Sequence, residues 1–557
     1  MKQNIIKLFL EKGFLLDREM LDFLDELGNE EIAQEIINKV AIASRKKVIT
    51  KNLISENIEK LKPLFYQLDI DKKRLVEKFF VNISISVEVK RERSIEDKIE
   101  ENHIKIISSP VMASQKLEVK DFVKHFRNRY SFLKNLLQQR RDLENLTSID
   151  KINRNNRNFS IGIVSNKQVT KNKNIILEIE DLTGRGKLLI NQSKKEVFEK
   201  AKEILLDDII GFKCSGTKDF LFVNDLFYPD SFLKERHKSE KDVYAVFISD
   251  THVGSQNFLE ENFSKFIDWL RGINCSEEQK EIIRKIRYIF VVGDSIEGVG
   301  IYPGQEKFLK IKDIKEQYSK LAEYYNKIPN YIKIIQCAGQ HDAVRVAEPQ
   351  PQIGNDFGEA LQKVKNLYLV SNPSLVEIEN SKEKQGIKVL MYHGASMNPI
   401  INEIEELRLS NAHRNPTSAV KHLLLRRHLA PMHGVSVYIP NAEEDPMLIK
   451  EVPDIIATGD LHRPDIDSYN GVLMIASSCW QSITHFEEKV GNIPDPCKVP
   501  ILNLRTFDIK IMDFSDSEEE AKIVKECKDI NENEKSDEKK EMKIVCEVSK
   551  IHGGKNG

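Results

Sequence analysis

The hydrophobic pattern of the chain changes twice along its length. Between Ile5 and Leu61 apolar residues recur at helical spacing, which predicts a small helical domain over residues 1–70. From Phe159 to Pro229 short apolar runs alternate with polar positions, which is typical of strands. After residue 241 the runs become continuous and β-branched. They predict buried strands of an α/β domain that extends to residue 514.

The alternating region, residues 157–232, predicts a five-stranded barrel. Its strands are expected at 160–164, 175–179, 187–190, 209–214 and 220–223, with one helix at 194–206. A helix between the third and fourth of five strands is the plan of an OB fold. Such barrels often bind single strands through aromatic side chains. Few aromatics fall in the central strands here, which favours a scaffolding barrel.

Two charge-rich stretches have no sustained pattern. Residues 71–156 are predicted to be a largely flexible linker and residues 515–557 a disordered tail. Within the linker, Phe122–Arg141 is basic, aromatic and helically periodic. It either contacts a nucleic-acid backbone or is a solvated helix, which we favour. A second basic segment, Asn415–Pro431, either lines a path for a phosphate backbone or packs on a partner.

Polar residues directly follow five of the predicted buried strands. Open α/β sheets bind ligands at the carboxyl ends of their strands. The strand ends here offer oxygen and nitrogen donors, namely Asp250 and His252, Asp294, Gln340, His393, and Asp460 and His462. This donor set is too large for one ion and suits two divalent cations.

The composition narrows the function classes. A chain of 557 residues should contain several domains. No run reaches the roughly 18 apolar residues of a membrane span, and the first residues lack a signal-peptide pattern. We therefore expect a cytoplasmic protein with no membrane partner. The net charge of -2 is less basic than that of a free-standing duplex binder. Seven cysteines without CxxC spacing predict reduced thiols.

The order of the strand-end motifs resembles that of calcineurin-like metallophosphoesterases. The motifs are Asp250-x-His252, Gly293-Asp294, Gly339-Gln-His-Asp342, His393-Gly394 and Gly459-Asp-x-His462. The resemblance implies a four-layer α/β domain at residues 241–514. Two positions depart from the family pattern, because Gln340 replaces an Asn and Asp460 replaces a His. Both remain plausible donors, so we expect an altered metal preference rather than a lost site.

The same resemblance implies roles for the site residues. Asp294 would bridge two ions, with Mn²⁺ expected and Mg²⁺ as the alternative. His341 would protonate the leaving oxygen, and Asp342 would orient its imidazole. The ligands divide into Asp250, His252 and His462 on one ion and Gln340, His393 and Asp460 on the other.

The domain order and three further segments resemble the small subunits of archaeal family D DNA polymerases. The segments are Gly339–Arg345, Asn415-Pro416 and Arg427–Pro431. The resemblance implies a 3′-to-5′ exonuclease that proofreads DNA as a heterodimer with a large polymerising subunit. It would act on a single-stranded or frayed 3′ end, and the sliding clamp is a further candidate partner. Two alternatives remain: a scaffold subunit with weak catalysis, and a stand-alone repair nuclease or phosphatase.

Overall fold

The computed structural model forms two compact units, residues 1–100 and 101–557. In the first, the described residues are 2–28, 33–34, 38, 48–50, 53 and 72. In the second they are 104–110, 117–515, 522–531 and 542–548, with gaps at 144, 153–157, 218 and 382–383.

The described part of the first unit begins with two amphipathic helices. These are α1 (Lys2–Glu11) and α2 (Arg18–Leu27), and the short strands β1 (Leu15–Leu16) and β2 (Val48–Ile49) pair in parallel. The Asp17 carboxylate accepts a hydrogen bond from the Met20 amide at 2.8 Å and so caps α2. Helices therefore occupy residues 2–11 and 18–27 of the predicted helical region, with strand β1 between them, and most of residues 28–70 lie outside the described part.

The second unit begins with a strand and a long helix, followed by a closed barrel. These elements are β3 (Ile104–Ser108), α3 (Val119–Gln138), β4 (Asn158–Val169), β5 (Ile175–Glu180), β6 (Arg185–Ile190), α4 (Lys195–Lys202), β7 (Ile209–Thr217) and β8 (Phe220–Phe227). The barrel order is β4-β5-β6-β8-β7, and β6 pairs with β8 in parallel. All five predicted strands and the helix are present, most of them longer than predicted.

The remainder of the unit contains two sheets. Their strands are β9 (Tyr244–Ile248), β10 (Ile286–Val292), β11 (Lys333–Cys337), β12 (Leu367–Leu369), β13 (Ser374–Ile378), β14 (Ile387–Met391), β15 (Ile455–Thr458), β16 (Asp465–Tyr469), β17 (Val472–Ala476), β18 (Lys498–Asn503), β19 (Ile509–Asp513), β20 (Lys522–Asn531) and β21 (Met542–Val548). One sheet has the order β12-β11-β10-β9-β18-β19-β20-β21 and the other β16-β17-β15-β14-β13-β3.

Helices cover the outer faces of both sheets. They are α5 (Glu260–Leu270), α6 (Glu277–Lys285), α7 (Ile314–Tyr325), α8 (Asn355–Gln362), α9 (Met397–Glu403), α10 (Glu405–Leu409), α11 (Thr417–Arg426) and α12 (His485–Val490). Alternate residues of each strand face opposite sides. Phe247 and Phe290 lie in the core between the sheets with Val389, whereas Val246 packs towards Trp269 of α5. The result is the four-layer α/β arrangement that the resemblance implied.

The linker prediction for residues 71–156 is wrong for the segments that the structure describes. Strand β3 pairs antiparallel with β13 and forms the edge of the second sheet. Helix α3 is anchored at two places, because Arg129 donates to the Asp445 carboxylate at 2.6 Å and Tyr130 donates to the Ile161 carbonyl at 3.0 Å. A polar composition did not reveal these partners because Asp445 lies 316 residues away in sequence.

The prediction of a wholly disordered tail is also wrong, since β20 and β21 extend the first sheet as an antiparallel pair. Cys527 on β20 is disulfide-bonded, which corrects the expectation of reduced thiols for that residue. It lies opposite Cys546 in the strand register, and adjacent strands bring cysteines close in a way that sequence spacing does not show. Cys214, Cys337, Cys479 and Cys497 form no disulfide.

The basic segment after Asn415 packs within the chain itself. Arg426 at the end of α11 is buried, and its guanidinium donates to the Asp208 carboxylate of the barrel at 2.8 Å. Arg427 donates to the carbonyls of Ile449 and Lys450, each at 2.7 Å. The contact between Arg426 and Asp208 joins the barrel to the two-sheet domain, and both guanidinium groups are engaged within the chain rather than available to a phosphate backbone. In the described part of the chain, no helix has the length and apolarity needed to cross a bilayer.

Candidate metal centre

The seven predicted donors follow five strands whose carboxyl ends meet at one edge of the two-sheet domain. Strands β9, β10 and β11 are parallel neighbours in the first sheet, and β14 and β15 are parallel neighbours in the second. The donors follow these strands directly, as Asp250 and His252 after β9, Asp294 after β10, Gln340 after β11, His393 after β14, and Asp460 and His462 after β15. The two sheets thus bring together side chains that are up to 212 residues apart in sequence.

Five of the seven donors have a left-handed backbone. Their φ angles lie between 48° and 67° at Asp250, His252, Asp294, Asp460 and His462. Non-glycine residues rarely adopt this region because the Cβ atom crowds the backbone. The sharp turn after each strand directs the side chain into the space between the sheets, and such local strain is typical of functional sites.

Glycines beside the donors provide room for them. A Cβ atom at Gly459 would lie 2.6 Å from Oδ2 of Asp250. One at Gly293 would collide with the His393 ring, and one at Gly339 would collide with the Asp294 carboxylate. These three glycines are therefore required by the close packing of the donors.

Asp250, His252 and His462 form a cluster that we call the histidine half. The Oδ1 atom of Asp250 lies 3.3 Å from Nε2 of His462 and 4.0 Å from Nε2 of His252. The two imidazole Nε2 atoms are 3.3 Å apart. All three side chains are largely buried, so their polar atoms face one another rather than solvent.

Two buried glutamates orient the imidazoles of the histidine half. Nδ1 of His252 donates to Glu297 at 3.0 Å, and Nδ1 of His462 donates to Glu487 at 2.8 Å. A carboxylate behind a histidine fixes its tautomer and directs the other nitrogen to a metal. Sequence reasoning missed both glutamates. Only Glu487 carries a local signal, because Thr484 and Glu487 form the capping box of α12.

Gln340, His393 and Asp460 form a second cluster that we call the amide half. Nε2 of His393 lies 3.2 Å from Oδ2 of Asp294 and 4.0 Å from Oδ1 of both Asp250 and Asp460. Nδ1 of His393 donates to the Val292 carbonyl at 2.7 Å. Asp250 therefore lies close to donors of both halves, a position that the resemblance assigned to Asp294.

Gln340 and Asp460, the two residues that depart from the family pattern, contact each other. The Gln340 amide donates to Oδ1 of Asp460 at 3.1 Å. The Asn398 amide of α9 donates to Oδ2 of Asp460 at 3.2 Å, and Asn398 is a further residue that sequence reasoning did not single out. Both oxygens of Asp460 are therefore held by neutral amides.

The protonation of the cluster reflects its crowded charges. Burial opposes ionisation of Asp294, but the neighbouring His393 and His341 hold its pKa well below the usual range. Burial also disfavours the His393 imidazolium, yet Asp294 and Asp250 raise its pKa well above the usual value. Burial raises the pKa of Asp460, and the charges of Asp250 and Asp294 add to that effect. The carboxylates compete for too few positive partners, which favours a cation at this place.

His341 lies beside the histidine half, but Asp342 does not orient it. Nδ1 of His341 lies 2.8 Å from the Glu297 carbonyl, and its ring packs edge-on against His252 with centroids 4.7 Å apart. The Asp342 carboxylate accepts hydrogen bonds from the Ser295 and Tyr318 hydroxyls and the Gly339 amide. The expected role of Asp342 is corrected accordingly: it fixes the strand-end loops, and a backbone carbonyl orients the imidazole.

The buried donor atoms fit divalent cations. Among the described residues, Oε1 of Gln340 is buried and accepts no hydrogen bond, while Oδ1 of Asp250 and Nε2 of His393 are buried and have only ion-pair neighbours, the nearest being His462 at 3.3 Å and Asp294 at 3.2 Å, respectively. A buried polar atom without a partner costs roughly 1–3 kcal/mol, and a metal ion would satisfy these atoms. Asp250, His252 and His462 lie close enough to share one ion, and so do Asp250, Asp294 and His393.

Two facing mixed sheets with oxygen and imidazole donors at their shared edge define an α/β protein with a candidate metal centre. Residues 245–466 match the family model that describes the B-subunit of DNA polymerase alpha/epsilon. The solved structure titled as a novel archaeal phosphodiesterase matches with a TM-score of 0.23 at 14% identity and covers 48% of this chain and 98% of its own.

Curated relatives identify the particular family. The DNA polymerase II small subunit of Methanothermobacter thermautotrophicus is 36% identical over 72% of this chain and 80% of its own length. That of Archaeoglobus fulgidus is 32% identical over 89% of this chain and 95% of its own length. The chain belongs to the family of small subunits of archaeal DNA polymerase II, which is family D.

Proposed function

We propose that this subunit is a two-metal 3′-to-5′ DNA exonuclease that proofreads for the large polymerising subunit. The observation that carries the proposal is the set of buried donor atoms on Asp250, Gln340 and His393 that make no hydrogen bond, two of which lie in ion-pair contact with other proposed ligands. A catalytically silent scaffold would gain stability by filling such a space with apolar side chains. Here the space is instead lined with acids, imidazoles and an amide.

The proposed ligands are Asp250, His252, Asp294, Gln340, His393, Asp460 and His462. When bound by these residues, two divalent ions would activate water for attack and neutralise charge on the phosphate. The chain's own residues hold the ligands in place, since Glu297, Glu487 and the Val292 carbonyl fix the three imidazoles. Oxygen-rich ligation favours Mn²⁺ or Mg²⁺ over softer metals, and we propose Mn²⁺.

His341 is the proposed proton donor to the leaving oxygen. A carbonyl oxygen only accepts hydrogen bonds, so the contact with the Glu297 carbonyl places a proton on Nδ1 and leaves Nε2 for exchange with the substrate. The ring is held against His252 and is therefore preorganised. General acids of this kind typically contribute 10²–10⁴-fold to rate, as an order-of-magnitude estimate.

The proposed substrate is a single-stranded or frayed 3′ end, and the proposed partners are DNA, the large subunit and the sliding clamp. The barrel at residues 158–227 has the strand order and helix position of an OB fold, and we propose that assignment. Its contacts through Asp208 and Arg426 support a scaffolding role. The division into domains at 1–70, 157–232 and 241–514 is part of the same proposal.

The test measures nucleotide release from a labelled 3′ end with added Mn²⁺ for Asp294→Asn and His341→Ala. We expect loss of activity in both variants and loss of bound metal only in Asp294→Asn, because His341 is not a proposed ligand. Asp268→Asn, at a partly exposed position, and His485→Ala, at an exposed one, are matched controls and should behave as wild type. Undiminished release by Asp294→Asn would show that the activity comes from elsewhere.

A second candidate is an assembly subunit with weak or no catalysis. The observation that favours it is the hydrogen bond between Gln340 and Asp460, which engages two proposed ligands with each other. Elemental analysis after Mn²⁺ loading separates the candidates, because a scaffold binds no stoichiometric metal. A stand-alone repair nuclease or phosphatase is separated by co-purification, since neither requires a large polymerase subunit.

A further inference from the structure

The loop from Glu297 to Gln305 has a fixed shape beside His341. Three glycines, at positions 298, 300 and 304, have positive φ angles of 71°, 79° and 81°. The buried Gln305 accepts from the Ile301 amide at 2.9 Å and donates to the Glu297 carbonyl at 3.0 Å. The buried Gln317 accepts from the Gly298 amide at 2.8 Å and donates to the Gly298 carbonyl at 3.2 Å. Two amide side chains thus hold the loop on both sides of its apolar residues.

Tyr302 is the aromatic residue that this loop presents. Its ring lies edge-on to the His341 ring, with centroids 6.5 Å apart and an interplanar angle of 62°. Its hydroxyl donates to Oε1 of Glu297 at 3.4 Å. The residue remains 40% exposed, and Val299 of the same loop is 39% exposed. A rigid apolar surface therefore borders a cluster of charged groups.

This surface has no role in holding ions. Neither Tyr302 nor Val299 offers a ligand that divalent cations prefer, and the hydroxyl of Tyr302 is directed to Glu297. An exposed aromatic ring on a braced loop is suited to stacking, because every nucleobase has a π face. A base is joined to its phosphate by one sugar. When a phosphodiester lies beside His341, the base attached to it can therefore reach the Tyr302 ring.

We propose that Tyr302 stacks on the terminal base of an unpaired strand and positions the last phosphodiester at His341. This inference rests on the proposed exonuclease function and specifies the substrate as a strand end whose base is free to leave its neighbours. Stacking does not read hydrogen-bonding groups, so the preference is for unpaired over paired ends and not for a particular sequence.

The experiment compares Tyr302→Ala and Tyr302→Phe with wild type on two single-stranded oligonucleotides, one ordinary and one with an abasic 3′-terminal residue. Tyr302→Ala should raise KM roughly 5- to 150-fold for the ordinary end and leave the abasic end unchanged. Tyr302→Phe should match wild type because it keeps the ring. Tyr331→Ala is the matched control, since Tyr331 is 39% exposed and packs on Arg287 away from the site.

A binding measurement on the full-length chain gives a readout independent of cleavage. A 3′-terminal 2-aminopurine, mixed with protein in EDTA, should be quenched by wild type and Tyr302→Phe but not by Tyr302→Ala. An equal loss on the ordinary and abasic ends would show that Tyr302 acts only by supporting Glu297, which overturns the inference, as would unchanged KM and quenching in Tyr302→Ala. If wild type releases no nucleotide from any 3′ end, the proposed function fails, while the quenching still decides whether Tyr302 stacks on a base.

Discussion

The histidine half and the amide half of the candidate metal centre are held in place by different chemistry. In the histidine half, the buried carboxylates of Glu297 and Glu487 lie behind the imidazoles of His252 and His462. In the amide half, His393 is held by a backbone carbonyl, and Asp460 is held by two side-chain amides. Charged partners make the imidazoles of the first half more basic. In the amide half these partners are neutral. Its preference among cations therefore depends on its oxygen donors, which suit harder cations.

Asp250 links the two halves, and its substitution should have the largest effect. Its Oδ1 atom lies within 4.0 Å of Nε2 atoms in both halves. We expect Asp250→Asn to lose both ions and to fall to background in nuclease assays, because the shared negative charge is removed. Metal content after Mn²⁺ loading and dialysis checks this prediction, with Asp268→Asn as the control. Retention of one ion per chain would show that the halves bind independently.

Substitution of the orienting glutamates should weaken only the histidine half. We expect Glu487→Gln and Glu297→Gln each to lower metal affinity roughly 10- to 100-fold, because an amide no longer draws the imidazole proton. Calorimetric titration with Mn²⁺ should show one weakened site and one unchanged site. The exposed neighbour Glu488 provides the matched control Glu488→Gln. Equal weakening of both sites would contradict the separation of the halves.

Removal of one amide from Asp460 should have the smallest effect. Asn398→Ala deletes the hydrogen bond to Oδ2 of Asp460, and such a bond is worth about 1 kcal/mol. We expect roughly fivefold weaker binding confined to the amide half. Asn402→Ala, at an exposed position of the same helix, is the control. A larger effect on the histidine half would mean that Asp460 belongs to both.

The strand ends were predictable because their signal is local. An apolar run followed within three residues by Asp, His or Gln marks a donor at the end of a buried strand, and five such runs in order indicated the site. The barrel was predictable for the same reason, since alternation is read within single strands. The seven donors do come together, and the roles assigned to them as metal ligands remain predictions.

What sequence did not reveal depends on contacts between distant residues. Glu297 lies three residues after Asp294, but its importance comes from its contact with His252, 45 residues earlier. Arg426 was ambiguous because a basic helix looks the same whether its charge meets DNA or a buried acid such as Asp208, 218 residues away. Strand β3 is five residues long and carries no clear pattern, so only its pairing with β13 identifies it as part of a sheet.

The left-handed residues after the strands have an evolutionary consequence. At Asp250, His252, Asp294, Asp460 and His462, glycine would ease the backbone by roughly 1 kcal/mol per position. A lineage that is no longer selected for metal binding would therefore gain stability against unfolding by replacing these residues with glycine. A relative with glycines at these five turns should melt at a higher temperature and bind no metal, so these five positions distinguish family members that bind metal from those that do not.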